Sequence, residues 1–359
     1  MQLERIKHSL GLAAIYGILH ALVDAATVTT TYAAAVRFHV PPETAVLLVL
    51  VYDVIAFASQ PLLGWIADRG IPPRAVAGAG MTLCLAGGLL LPVGPFVAAV
   101  TAGIGNAMFH LGAGVVSMSI RPGRAAGPGI FVGPGTLGLA YGISQAGIAT
   151  ALPVPLAVAL GVSLLIPIFL PHPETVSSKN FPLSDDARPL TAALGFGVVM
   201  LLLVSIFFRS LVGHSASRDC PKTHEVLFLI AAAGCLGKLC GGLISDKIGW
   251  IRTSVGALIL AGPLIAFGGG TPAVIAVGAG LFQMTMPVTL VAANSVWTDR
   301  PAFVFGLNCL AFIAGALPVF LGWTPPFYAP TTFLAVTAAG VAAVWGGLTL
   351  LRQHTIMKY

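Results

Sequence analysis

His20 and Asp24 stand four residues apart in an apolar run. On a helix that spacing puts imidazole and carboxylate on one face, one turn apart. A neutral His beside a carboxylate takes up a proton near physiological pH. The pair therefore offers either proton exchange or a structural hydrogen bond that braces its helix. Asp53 and Gln60, seven apart, share a second face, where Asp53 is another protonatable group or the neighbour of a water-filled vestibule. Asn106 and His110 share a third. Arg209 and Lys238 are cations inside apolar runs of the second half. Arg grips planar anions through a fork of donors, and Lys adds a compact charge. These two either bind an anion or neutralise Asp24 and Asp53. Gln283, Asn308, Tyr141 and Gln145 are weaker polar candidates. His20, Asp24 and His110 also carry the donor types of a divalent-metal site, to which Cys235 or Cys240 would add thiolate. Their helices are separate in sequence, so spacing alone does not show that they converge.

Such groups need unusual surroundings, and composition supplies them. Only 8% of residues are charged and 57% are hydrophobic, too few charges for a water-facing surface. Mean hydropathy is +0.94. Apolar runs of about 20 residues, each long enough to cross a bilayer, recur along the chain. Pattern and Pro/Gly punctuation predict twelve spans, at 9–35, 44–67, 74–92, 95–118, 126–149, 153–170, 191–213, 224–245, 252–268, 272–293, 301–321 and 330–351. The first run is too long for a cleaved signal. An ionisable group within such a span costs roughly 2.5–3.5 kcal/mol on insertion scales, so each marks function or a partner. His20 falls near mid-membrane, with Asp24 slightly further out.

Charge placement orients the spans. With a cytoplasmic N-terminus, the cytoplasmic side holds thirteen of the 18 Lys and Arg residues and the opposite side only Arg37, Arg218 and Lys222. Both termini are then cytoplasmic. Topology accounts for the net charge of +6, so nucleic acid is not invoked. The five cysteines show neither a disulfide framework nor zinc spacing.

A repeat divides the chain. Gly64-Trp-Ile-Ala-Asp68-Arg69, followed by Arg74, recurs as Gly242-Leu-Ile-Ser-Asp246-Lys247, followed by Arg252. Both copies fall on the cytoplasmic side, at helix C-termini, where the dipole disfavours an acid. Each Asp therefore needs a base or another helix's N-terminus nearby. The repeat also gives a register between the halves. Gln60 and Lys238 each lie eight residues before the repeated Asp, and Leu19-His20-Ala-Leu-Val matches Phe208-Arg209-Ser-Leu-Val. Acids and imidazoles lie in one half, lone cations in the other.

Twelve spans, a polar mid-chain linker and the repeated G-x-x-x-D-[RK] loop resemble the major facilitator superfamily over essentially the whole chain. The first loop departs from the family pattern, with Gly70 directly after Arg69 and then Pro72-Pro73. Gly129-Ile-Phe-Val-Gly133-Pro134-Gly135-Thr-Leu137-Gly138 resembles a family motif that marks antiporters more than symporters, Leu137 replacing one Gly. A Gly-rich packing face with a Pro kink would read the same. His20-Ala-Leu-Val-Asp24, Gln60-Pro61, Phe109-His110 and Arg209-Ser210 are similar to the fosmidomycin-resistance branch, proton-driven exporters of small, often anionic compounds.

The resemblance implies an all-α membrane protein of twelve transmembrane helices in two pseudo-symmetric six-helix bundles: 1–170, a cytoplasmic linker 171–190, and 191–359. It implies a multi-pass protein of the cell inner membrane, acting as a monomer by alternating access. Its partners would be protons, the lipid bilayer and an exported cargo, a small organic anion or drug-like compound. His20, Asp24 and Asp53 would couple protons. Gln60, Asn106, His110, Tyr141, Gln145, Arg209, Lys238, Gln283 and Asn308 would line the substrate site. Gly64, Asp68, Arg69, Arg74, Gly133, Pro134, Gly242, Asp246, Lys247 and Arg252 would gate it. The competing expectations are divalent-metal export through His20, Asp24 and His110, and a membrane sensor that transports nothing. No P-loop or hydrolase motif appears, and no enzyme activity, cofactor or resident metal is expected.

Overall fold

In the computed structural model, the described residues are 2–170, 190–323 and 329–354. Among them the structure is all helical. Twelve helical rods follow in order: α1 (Gln2–Arg37), α2 (Pro42–Ala67), α3 (Pro73–Leu89), α4 (Pro95–Ile120), α5 (Ala126–Ser144), α6 (Val154–Phe169), α7 (Ala192–Ala216), α8 (His224–Ile248), α9 (Trp250–Phe267), α10 (Pro272–Val296), α11 (Pro301–Phe320) and α12 (Pro330–His354). All except α3, α5 and α6 are long and apolar enough to cross a bilayer by length and composition. The expected linker lies outside the described residues apart from Leu190.

Proline sets most starts. Pro42, Pro73, Pro95, Pro272 and Pro301 occupy first-turn positions, where a missing N–H costs nothing and the fixed φ suits a helix. Thr191 and Thr223 cap α7 and α8 by accepting the amides of Leu194 and Val226. The ends fall close to those expected. The clearest differences are α1, which starts at Gln2 rather than 9, and α5, which stops at Ser144 rather than 149 because the chain turns there, with Gly147 at φ 76°.

Besides α6, which turns at Leu164 between Ser163 and Leu165, two rods are interrupted, and sequence pattern foresaw none of these breaks. α2 passes through a π-helical turn at Val54–Ala58 before resuming at Gln60. α10 breaks after Gln283 and restarts at Met286. Both interruptions fall beside the polar residues described below.

Large apolar side chains such as Ile18, Leu62, Phe169, Phe196, Phe267 and Leu321 face outward. In lipid this costs nothing, so helix association relies on close packing and on interhelical polar contacts. One core gathers Tyr16, Leu19, Met81, Phe109 and Phe131 from the first six rods, joined by Leu290 and Phe305. A second gathers Leu202, Leu258, Phe282 and Val344 from the last six.

Candidate functional site

The first core encloses a polar cluster. His20 on α1 and His110 on α4 are buried, and Asp24 lies between them. Nε2 of His20 is 3.1 Å from Asp24 Oδ2, and Nε2 of His110 is 3.7 Å from Oδ1. The two imidazoles meet edge to face with centroids 4.4 Å apart. Asn106 Nδ2 donates to Asp24 Oδ1 at 2.9 Å and lies 3.3 Å from Thr27 Oγ1. Thr27 is bonded in turn to the Tyr52 hydroxyl at 2.8 Å. A connected polar chain thus runs from α1 through α4 to α2.

The protons in this cluster follow from its acceptors. Nδ1 of His20 faces the Phe131 carbonyl at 3.1 Å, and Nδ1 of His110 faces the Asn106 carbonyl at 2.9 Å. A carbonyl only accepts, so both Nδ1 atoms carry hydrogen. In neutral imidazole the other nitrogen is then a bare acceptor. Both Nε2 lone pairs point at a carboxylate, which also only accepts when ionised. The Nε2–Asp24 approach therefore needs positive charge between acceptors, from a proton or another cation. His20 is further fixed from behind: it stacks on Phe131 at 4.8 Å, and a Cβ on Gly135 of α5 would overlap the imidazole ring.

Across from these groups stand the two interior cations. Arg209 and Lys238 are both 8% exposed. Arg209 donates to Thr285, in the break of α10. Lys238 makes no hydrogen bond or ion pair with the described residues, yet it lies near enough to Asp24, His110 and Arg209 to interact electrostatically with each. It belongs to the stretch of α8 that packs its backbone on Gly129 of α5, two residues from Phe131. A buried, unpaired ammonium is costly and needs an anion close by.

The other expected residues divide. Asp53 is partly buried and interacts with the like charge of Asp24. Gln60 is fully buried, its amide tied to Ala56 O, and Asn308 is tied to Val304 O. Gln283 ends the first part of α10, beside Gly234. Tyr141 is exposed, and Gln145 donates to Ser144, both at the end of α5. Sequence reasoning missed Thr27 and Tyr52, although each adjoins a residue it chose. It also missed a series of rings. Phe57, carried by the π-helical turn, sits 6.0 Å from His110 and 5.6 Å from Phe312. Phe312 lies 5.2 Å from His214, and His214 5.3 Å from Phe320. The series crosses from the first six rods to the last six.

The repeated loops dock alike. Asp68 accepts from the amides of Ala302 at 3.1 Å and Phe303 at 2.8 Å, the first turn of α11. Asp246 accepts from Ala125 at 2.8 Å and Ala126 at 3.0 Å, at the start of α5. Each Asp thus supplies the acceptor that a helix N-terminus lacks and favours. The Gly four residues earlier has the matching task. Gly64 packs on the backbone of Ala302 and Phe303, and Gly242 on that of Ala125 and Ala126, where a Cβ would collide. Gly133, one residue before Pro134 within α5, packs less tightly on α8, where a Cβ would stand 3.1 Å from the Leu239 side chain and 3.2 Å from the Cys235 carbonyl. The bases beside the Asp residues do not pair with them. Arg69 lies over the Trp65 ring at 3.6 Å, and Arg74, Lys247 and Arg252 are exposed. Basic partners come from the opposite half: Arg300 near Asp68, Arg121 and Arg124 near Asp246. Burial pushes the Asp68 carboxyl above its ordinary range, while the two amides and Arg300 pull it back.

No family model matches the chain, and no curated protein matches its sequence. Solved structures match its fold. A proton:xylose symporter, XylE, aligns with TM-score 0.69 at 14% identity, over 98% of this chain and 97% of that one. The human organic anion transporter MFSD10 aligns with TM-score 0.65 at 14% identity, over 97% and 99%. A bacterial homologue of the iron transporter ferroportin aligns with TM-score 0.58 at 15% identity, over 95% and 98%. These matches run nearly end to end. The chain has the all-helical membrane fold of the major facilitator superfamily.

Proposed function

We infer that this protein is a secondary active transporter working by alternating access between its halves, 1–170 and 191–359. It couples proton movement to export of a small organic anion across the cell inner membrane, as a monomer with both termini and the 171–190 linker cytoplasmic. The single observation behind this is the facing of opposite needs at the centre. The Asp24–His20–His110 cluster needs positive charge between its acceptors, and Lys238 needs an anion. A proton meets the first need and an anionic solute the second. The neighbours named as a proton:xylose symporter and an organic anion transporter support small-solute transport on this fold.

The two Asp latches act as the cytoplasmic gate in this scheme. Opening that side would break four amide–carboxylate hydrogen bonds, which suits a two-state rocking motion.

Asp24→Asn tests the coupling. In proteoliposomes it should abolish proton-driven accumulation of an anionic substrate while leaving substrate counterflow intact. Unchanged accumulation would remove the coupling assignment.

A further inference from the structure

We propose that His20, Asp24 and His110 form a binding site for a divalent d-block metal ion, which enters together with the anion. This rests on the inference that the central cluster is where cargo and coupling ion meet. Sequence spacing left the metal question open because the three residues come from separate stretches; the fold brings them together. Their ligand atoms all lie within 4.8 Å of one another. Ligands held at about 2.1 Å around a tetrahedral metal sit about 3.4 Å apart. The His20 Nε2–Oδ2 and His110 Nε2–Oδ1 separations, 3.1 and 3.7 Å to the two different oxygens of Asp24, lie on either side of that value, so each imidazole faces its own carboxylate oxygen.

Orientation is the stronger argument. Metal-binding imidazoles give their remaining N–H to a carbonyl or carboxylate, which fixes the tautomer and aims the lone pair. Both imidazoles here do so, to Phe131 O and Asn106 O, and both aim Nε2 at the carboxylate. Asn106 holds the carboxylate itself. Two aromatic nitrogens and one oxygen suit zinc, iron(II), cobalt(II) or manganese(II) better than a soft ion. Among the described residues no cysteine joins the group.

Three protein ligands leave at least one coordination position open. Lys238 argues for what fills it. An ammonium this near a dication weakens metal binding unless an anion stands between them. A carboxylate of the cargo, bound to the metal and facing Lys238, removes that repulsion. Metal and anion therefore bind cooperatively.

Cobalt(II) is the probe, because ligand-field absorption reports its coordination. Purified full-length protein would be titrated with Co2+ with and without a weakly coordinating monocarboxylate such as acetate. The spectrum of free Co2+ is subtracted using a parallel protein-free titration. One Co2+ per chain is expected, bound at least 10-fold more weakly in His20→Asn and His110→Asn. Lys238→Met should bind Co2+ more tightly than the wild type when no carboxylate is present. That gain requires a folded protein, so misfolding of the His variants cannot mimic it. No Co2+ signal in the wild type, or equal affinity in the His variants, overturns the proposal. A separate assay keeps the two inferences apart: proton-driven anion uptake by the wild type in chelator-treated liposomes. Uptake without Co2+ binding sinks the metal site alone. Specific Co2+ binding with no uptake, whether Co2+ is supplied or chelated, sinks the proton-coupled reading alone.

Discussion

Asp24 is the side chain on which the described central polar groups converge. Two imidazoles and an amide converge on its carboxylate, and Lys238 lies near. The geometry depends on Gly135, which leaves room for the His20 ring. Gly135→Ala should push that ring aside, and a misplacement of about 1 Å costs on the order of 100-fold in positioning-sensitive steps. Proton-driven uptake should fall accordingly. Gly197→Ala, where a Cβ meets nothing within 4 Å, should leave it unchanged. Lys238 makes a sharper prediction because stability and function should move in opposite directions. Removing an unpaired buried charge stabilises a protein. Lys238→Met should therefore raise the unfolding temperature of the ligand-free protein. It should also weaken anion binding roughly 10- to 100-fold, the worth of one charge-assisted hydrogen bond. A lower unfolding temperature would mean that Lys238 is a structural residue.

At the scale of elements, the repeated Gly-x-x-x-Asp segment is a docking device for a helix N-terminus. Its Gly admits the partner backbone and its Asp caps the exposed amides. α2 docks on α11 and α8 on α5, so each half holds the other. A hydrogen bond to a charged group contributes about 1.5–3 kcal/mol. Replacing either Asp by Asn leaves one acceptor oxygen and removes the charge. Asp68→Asn or Asp246→Asn should therefore shift the open–closed balance at that end by about tenfold or more. The readout is alkylation of Ser245→Cys, at a fully buried position beside the latch, in a background free of native cysteines. Faster labelling in the Asn variants is expected, and an unchanged rate would mean that the latch does not set the balance. The interruptions of α2 and α10 are the other element-level devices. One turns Phe57 toward His110 and the other offers Thr285 to Arg209. π-helical turns recur at functional sites because they re-aim side chains within a continuous helix.

For the whole molecule, polarity at the centre is split between halves, with Asp24, His20 and His110 on one side and Arg209 and Lys238 on the other. A solute that bridges them should stabilise the folded protein by mass action. At 100 times its dissociation constant a ligand adds about 2.7 kcal/mol. A thermal-shift screen across organic anions should find compounds that raise the unfolding temperature of the wild type, with little effect on an Arg209→Ala, Lys238→Ala double variant. Equal shifts in both proteins would place the anion elsewhere.

The sequence by itself determined the membrane class, the approximate ends of the rods and the loop repeat, because these depend on local hydropathy, Pro and Gly placement and charge. It also pointed to His20, Asp24, His110, Arg209 and Lys238, since a charge inside an apolar span is visible without any structure. What it could not supply was convergence. His20 meets His110 only because α1 and α4 pack together, and the tautomers depend on carbonyls from distant or helical backbone. The partners of Asp68 and Asp246 are likewise backbone amides 234 and 121 residues away, which carry no side-chain signature. Sequence left each Asp either a base or another helix's N-terminus as partner, and packing supplied the N-terminus, whose donors are fixed and already in place. Phe57 was hidden for a related reason: a π-helical turn shifts the facing of residues away from the regular 3.6-residue period on which sequence reading relies. Local patterns name the groups, and only tertiary packing decides which of them touch.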